Sequence, residues 1–228
     1  MTRRVLVARL DSVGDVLVSG PAVRAIAADA RVVMLVGPRG RAAAELLPGV
    51  EDIIVWDAPW IANPAPSATP THMSALVERV RAARVDEAVI LTSFHQSPLP
   101  LALVLRLAGV ARITGASTDY AGSLLDVRIR PGEDLPEDIP EPERALAIAA
   151  AAGWRSSDSH LAIANLRVPP GLPPRGGYIV IHPGASVPAR QAPIGLLAEA
   201  ARILASRCWE IVVTGSADER ALAERIPS

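Results

Sequence analysis

The chain reads as an α/β protein made of repeated strand–helix units, and three observations carry that reading. Short apolar runs of strand length recur from the start, at Val5 to Ala8, Arg31 to Val36, Asp52 to Trp56 and Glu87 to Thr92. Segments with the apolar spacing of helices separate them, punctuated by Gly and Pro. Half of the 228 residues are hydrophobic and only 3% aromatic, which suits many short units around a sizeable core.

Taken in order, strand Val5 to Ala8 leads through the polar turn Asp11-Ser12-Val13-Gly14-Asp15 into a helix around Pro21 to Ala28. Strand Arg31 to Val36 precedes a helix from Pro38 to Leu47, stopped by Pro48-Gly49. After strand Asp52 to Trp56, residues 58–71 hold four prolines among small polar residues and read as a mobile loop. Helix Met73 to Ala83, strand Glu87 to Thr92, helix Pro98 to Leu107 and strands Arg112 to Gly115 and Val127 to Ile129 follow. An acidic, proline-rich stretch then gives way to an alanine-rich helix, Glu143 to Ala152. Past residue 176 the pattern restarts: strand Tyr178 to His182, helix Ile194 to Ser206, strand Trp209 to Thr214 and helix Ala217 to Arg225.

This organisation predicts a Rossmann-like domain over 1–155, a linker over 156–176 stiffened by Pro169-Pro170 and Pro173-Pro174, and the start of a second such domain over 177–228. Two strand–helix units make a poor independent core, so the second domain is expected to be incomplete.

Composition narrows the function. All permanent positive charge is arginine, since the sequence has no lysine, and a net charge of −1 gives no footprint for nucleic acid. Cys208 is the only cysteine, which rules out disulfides within the chain and cysteine metal clusters; a buried structural thiol is expected. Arg3 and Arg4 are followed by Asp11 and Asp15 rather than an apolar stretch, unlike a signal peptide. The longest apolar run, Leu99 to Ala111, is broken by Pro100 and Arg106 and too short for a bilayer. A cytoplasmic protein is expected, with peripheral contact at the inner face of the cell membrane open to it. The arginines of Met73 to Arg84 would serve there, although Glu78 and Asp86 fit a solvated helix face better.

Four segments carry chemistry. Asp15 lies where the first strand meets its helix, the place at which α/β sheets bind ligands. There a carboxylate stays ionised and is available as a base; equally, it caps the helix. Leu91-Thr-Ser-Phe-His-Gln-Ser-Pro98 sets hydroxyls, His95 and the Gln96 amide at a strand C-terminus. Ile181-His-Pro-Gly-Ala-Ser-Val-Pro-Ala-Arg190 is a small-residue loop between strand and helix, with Ser186 and Arg190 suited to phosphate. Val212-Val-Thr-Gly-Ser-Ala-Asp-Glu219 repeats that logic, with Thr214-Gly215 at a strand end and Glu219 in the first helical turn. There a carboxylate either accepts from ribose hydroxyls or complements the helix dipole.

In this order the segments resemble glycosyltransferase family 9, the ADP-heptose heptosyltransferases and their relatives. The resemblance rests on Arg9-Leu-Asp-Ser-Val-Gly-Asp-Val16 with Pro21-Ala22, on Thr92-Ser-Phe-His-Gln-Ser-Pro98, on His182-Pro-Gly-Ala-Ser186 and on Val213-Thr-Gly215, and spans nearly the whole chain. It implies a GT-B fold of two Rossmann-like domains, with acceptor on the first and a nucleotide-sugar donor on the second. It implies inverting, metal-independent transfer to a glycan or glycolipid hydroxyl, no cofactor, and a place in lipopolysaccharide biosynthesis. Asp15 falls where the family has its general base, with Ser12, Gly14, His95 and Gln96 on the acceptor side. Ser186, Arg190, Thr214, Gly215 and Glu219 fall on the donor side, the last in the position of the ribose-binding acid.

Two departures stand out. Gln191-Ala192-Pro193 stands where the family has a Trp after the phosphate loop, and no Asp-Thr-Gly-Pro-x-His element follows within these residues. The resemblance therefore implies a chain truncated in its donor domain that lacks turnover by itself. The rival expectation is a non-catalytic glycan- or nucleotide-binding module, or a partner subunit, derived from the family. A dehydrogenase is excluded, because Gly14 stands alone where a dinucleotide fingerprint needs three glycines.

Overall fold

The computed structural model describes residues 2–93, 96–164, 166, 177–185 and 188–227. It divides into two compact units, Met1–Leu166 and Arg167–Ser228.

The first unit is a six-stranded sheet in the order β3-β2-β1-β4-β5-β6, every pairing parallel. Its strands are β1 (Arg4–Arg9), β2 (Arg31–Val36), β3 (Val50–Val55), β4 (Glu87–Ile90), β5 (Arg112–Ala116) and β6 (Val127–Ile129). The order follows from chain economy. Each crossover adds a strand beside the last, from β1 outward to β3, and the chain then returns to lay β4 on the other side of β1. That reversal leaves a crevice between the C-terminal ends of β1 and β4.

Strand periodicity divides the core. Val5 and Val7 of β1, with Val32, Met34 and Val36 of β2, face one layer; Leu6, Ala8, Val33 and Leu35 face the other. The first layer is covered by α1 (Val13–Val18), α2 (Gly20–Ala27), α3 (Arg41–Ala44) and α6 (Glu141–Ala151), the second by α4 (Pro70–Ala83) and α5 (Leu99–Leu107). Leu6, Leu35, Leu101 and Ile113 are fully buried, each worth about 1.5–3 kcal/mol relative to exposure. Cover on both faces explains why the central strands are continuous apolar runs rather than alternating ones.

Several elements differ from the sequence reading. The turn around Asp15 is already helical: Ser12 caps α1, so Asp15 sits in its first turn and a second helix, α2, follows at once. The region 38–47 splits into a 3₁₀ turn, Pro38–Gly40, and the single turn α3. The beginning of the proline-rich loop is packed, not free. Ala58 is buried, the rings of Trp56 and Trp60 lie 5.4 Å apart, and Trp56 stacks on His72 at 4.8 Å. The first unit also runs beyond residue 155, because residues 158–164 return onto it. Arg24 of α2 bonds Asp158 at 3.0 Å and the His160 carbonyl, and the Ala164 amide donates to the Leu46 carbonyl at 2.7 Å.

The second unit holds the parallel pair β7 (Tyr178–Ile181) and β8 (Glu210–Val213), with α7 (Ile194–Ala205) between them and α8 (Arg220–Ala223) after. Ala201, Ile211 and Ile226 form its small buried cluster. Cys208 corrects an expectation: it is exposed, not buried, lying in a left-handed conformation (φ 66°) in the turn between α7 and β8. Among the described residues, no helix is long and apolar enough to cross a membrane.

Candidate active site

The crevice between β1 and β4 collects the polar groups of the first unit. The Ser12 hydroxyl donates to Asp15 Oδ2 at 2.6 Å, and the Ser12 amide donates to the same oxygen at 3.1 Å. Ser12 Oγ accepts from the Asp15 amide at 3.5 Å, closing a reciprocal cap. Asp15 therefore does cap its helix. Its other oxygen, Oδ1, receives a bond from Arg9 Nη2 at 3.1 Å. Three of the carboxylate's roughly four lone-pair sites are used, which leaves one on Oδ1 for a ligand.

Burial raises the Asp15 pKa, but the Ser12 hydroxyl and amide and the Arg9 guanidinium outweigh it and hold the carboxyl below its ordinary value. Asp15 is thus an ionised carboxylate whose side chain is about a third exposed.

Arg9, the last residue of β1, organises the site. Its side chain is 2% exposed and contacts Asp11 at 2.9 Å, Asp15 at 3.1 Å and Glu141 of α6 at 3.3 Å. Its Nη2 also donates to Ser93 Oγ at 2.8 Å. Ser93 and Gln96 come from the loop after β4. The Gln96 amide nitrogen donates to Asp11 Oδ1 and the Ser93 hydroxyl to Asp11 Oδ2 at 3.3 Å, so the two strand ends are tied together.

Beside these groups opens a cavity of about 220 Å³, with Asp11, Ser12, Asp15, Arg39, Asp57 and Gln96 among its lining residues. Gly37 also lines it and lets the loop after β2 approach, since a Cβ there would stand 2.7 Å from the Leu10 carbonyl oxygen. Gly14 is less constrained, with the Ser12 hydroxyl 3.8 Å from where its Cβ would be.

Of the acceptor-side residues expected from sequence, Ser12, Gly14, Asp15 and Gln96 thus gather at one strand end, and His95 lies outside the described residues. Sequence reasoning missed Arg9, Asp11, Ser93 and Glu141 as site members. The signal available was an arginine closing an otherwise apolar, buried strand. Glu141 is 132 residues away and had none.

In the second unit, Thr214 and Glu219 meet at His182. Thr214 Oγ1 lies 3.3 Å from His182 Nδ1, and Glu219 Oε2 lies 3.9 Å from Nε2. Glu219 folds back to accept from the Ser216 amide at 2.7 Å, over Gly184 and Gly215. Arg190, exposed, ends the 3₁₀ turn Pro188–Arg190 and has no partner among the described residues. Ser186 lies outside the described residues. No group of three or more His, Cys, Asp or Glu side chains among the described residues is arranged to hold a metal; amid Asp11, Asp15 and Glu141, the cation is Arg9.

No protein-family model and no curated protein matches the chain. Solved structures do. ADP-heptose lipopolysaccharide heptosyltransferase II from E. coli superposes with a TM-score of 0.71 at 24% identity, over 96% of this chain and 66% of that one. A family 9 glycosyl transferase from Veillonella parvula gives 0.73 at 14% identity, over 99% of this chain and 67% of that one. E. coli heptosyltransferase WaaC, solved with ADP-2-deoxy-2-fluoro heptose, gives 0.68 at 18% identity, over 97% and 72%. The chain has the α/β fold of these glycosyltransferases and spans about two thirds of the length of the first two.

Proposed function

We propose that the chain supplies the acceptor domain and part of the donor domain of a glycosyltransferase of the heptosyltransferase type, in which Asp15 takes the proton from an acceptor hydroxyl. The observation that carries this reading is the placement of an ionised, doubly anchored carboxylate on a cavity at the switch point of the sheet. The fold shared with heptosyltransferases supports it.

The acceptor would lie in the cavity with its hydroxyl against Asp15 Oδ1. As the hydroxyl oxygen attacks the anomeric carbon, a C–O bond forms there and the bond to the nucleoside diphosphate breaks. The proton passes to Asp15, and attack from the face opposite the leaving group inverts the centre. A carboxylate of low pKa is a weak base toward a resting hydroxyl. It accepts the proton once the attacking oxygen has gained positive character, and it is fully ionised at neutral pH beforehand. The anchors on Oδ2 and Oδ1 hold it in place at no cost of reorganisation during the reaction.

The donor would be an ADP-heptose-like nucleotide sugar held by the second unit, with Ser186, Arg190, Thr214, Gly215 and Glu219 around its phosphates and ribose. Protein donors at the diphosphate would stand in for a divalent cation. The acceptor would be a glycan or glycolipid, reached at the inner membrane face.

The test is release of nucleoside diphosphate from an ADP-heptose donor in the presence of a lipopolysaccharide-core acceptor, comparing the chain joined to a complete donor domain with its Asp15→Asn variant. Transfer lost in the variant, with acceptor affinity retained, supports the reading. Acceptor or nucleotide binding with no transfer by either protein overturns it in favour of a binding module.

A further inference from the structure

The guanidinium of Arg9 is surrounded on all sides. Its three nitrogens each meet a different carboxylate: Nε faces Asp11 at 2.9 Å, Nη2 faces Asp15 at 3.1 Å and Nη1 faces Glu141 at 3.3 Å. Nη2 also serves Ser93 at 2.8 Å. An arginine at 2% exposure carries a large desolvation cost, offset here by hydrogen bonds from Nη1 and Nη2 and by the Asp11 charge facing Nε, which makes no hydrogen bond of its own. Packing alone would be met more cheaply by an apolar side chain at this strand end, between two fully covered sheet faces.

We propose that Arg9 is a positioning residue for Asp15, and that Glu141, at the start of α6, is the counter-anion that sets how much of the Arg9 charge Asp15 receives. The inference rests on the reading of Asp15 as the base, and it adds a residue of α6 to the machinery of the β1–β4 crevice.

One positive charge is divided among three negative ones. Glu141 does not depend on Arg9 alone, because Arg144 Nε lies 3.4 Å from its other oxygen. Arg144 is buried and donates to the Glu137 carbonyl at 2.7 Å, so it holds Glu141 from the helix side. Glu141 thereby competes with Asp15 for Arg9 from a fixed position. The other charged groups facing Asp15 are Asp11 in the turn before α1, and Arg39 and Asp57 on the loops across the cavity. Arg9→Gln takes the Arg9 partner from Asp11 and leaves it Ser93 and Gln96, whereas Glu141→Gln touches none of the three.

Two substitutions carry opposite signs. Arg9→Gln removes the cation, so the Asp15 carboxylate protonates more easily and its titration moves up by about one pH unit or more. Glu141→Gln removes a neighbouring negative charge and frees Arg9 for Asp15, so the titration moves down by a smaller amount. The readout is ¹³C NMR of the Asp15 carboxyl against pH in the full chain, which needs no turnover. Where transfer is measured, the acid limb of its pH profile moves in the same two directions.

Shifts of opposite sign support the proposal; a purely structural role for Arg9 moves Asp15 in neither direction or damages both variants alike. An unmoved or raised titration in Glu141→Gln overturns it, and this variant decides the matter even where Arg9→Gln fails to fold. Failure of the functional reading is distinct. It shows as transfer undiminished in Asp15→Asn, and the NMR shifts stand or fall regardless of that result.

Discussion

Gly184 lies directly beneath the carboxylate of Glu219: a Cβ at position 184 would stand 1.7 Å from Glu219 Oε1. Glu219 is the outer member of a reciprocal cap with Ser216, and the Ser216 amide and hydroxyl, with His182 nearby, hold its pKa below the ordinary value against some desolvation. Gly184→Ala should therefore push the carboxylate aside rather than move the backbone, since the colliding atoms end a flexible side chain. We expect faster amide exchange at Ser216 and a Glu219 titration that returns toward the ordinary value. A Ser216 amide as protected as in the parent protein would show that the cap does not need this close approach.

Asp15→Asn removes the proton acceptor and weakens the bonds to Ser12 and Arg9. Transfer should fall by about 10²–10⁴-fold with little change in acceptor affinity, as measured by steady-state kinetics and titration calorimetry. An equal loss in both quantities would make Asp15 a binding group.

Gly37→Ala drives a methyl to 2.7 Å from the Leu10 carbonyl oxygen, where the obstacle is backbone and cannot swing away. The expected cost is about 1–3 kcal/mol, read as a lower denaturant midpoint with unchanged slope. Because Leu10 precedes Asp11, chemical shifts of Asp11 and Gln96 should change as well. A midpoint within error of the parent protein would mean that the two loops separate freely.

Acid should weaken the first unit in a defined window. Asp15, Asp126, Asp134 and Asp158 all have lowered pKa values, Asp134 to about 2 through its bonds with Arg130. Asp126 is partly desolvated, but the Ile113 amide and Arg106, each at 2.6 Å, outweigh that. In the unfolded chain these groups bind protons from about pH 4, while in the folded protein they resist until lower pH. Their contribution is present above about pH 4 and is lost as pH falls through the folded values. The melting temperature should be flat from pH 5 to 7 and drop below pH 4, and Asp134→Asn should flatten that drop. An unchanged acid profile in the variant would show that the exposed pair with Arg130 is too well screened to matter.

Much of the fold was legible because burial on both sheet faces writes itself as unbroken apolar strands, so β1, β2 and β4 were found within a residue or two. The helices were less so. The sequence reading took Ser12 to Asp15 as a turn, since a six-residue helix shows too few periods to be seen, and the start of α1 depends on a cap that is itself a tertiary neighbour of Arg9. The region 41–47 has helix-forming residues throughout, but Pro38 and Gly40 precede it, and the close fit of Gly40 to Val16, 2.7 Å from a would-be Cβ, accompanies a 3₁₀ turn there.

The sequence by itself determined the elements, the open α/β class and the position of Asp15 at a strand end, because these follow from local periodicity and from Gly, Pro and capping residues. It put Gln96 at another strand end for the same reason, while the adjacency of β1 and β4 that brings the two together belongs to the sheet order. Only the tertiary structure decided what surrounds the carboxylate. Arg9, Ser93 and Glu141 come from β1, the loop after β4 and the start of α6, as far as 132 residues apart. Their meeting depends on sheet order and helix packing, and a buried charge chooses its partners by distance in space, which the spacing of residues along a chain does not encode.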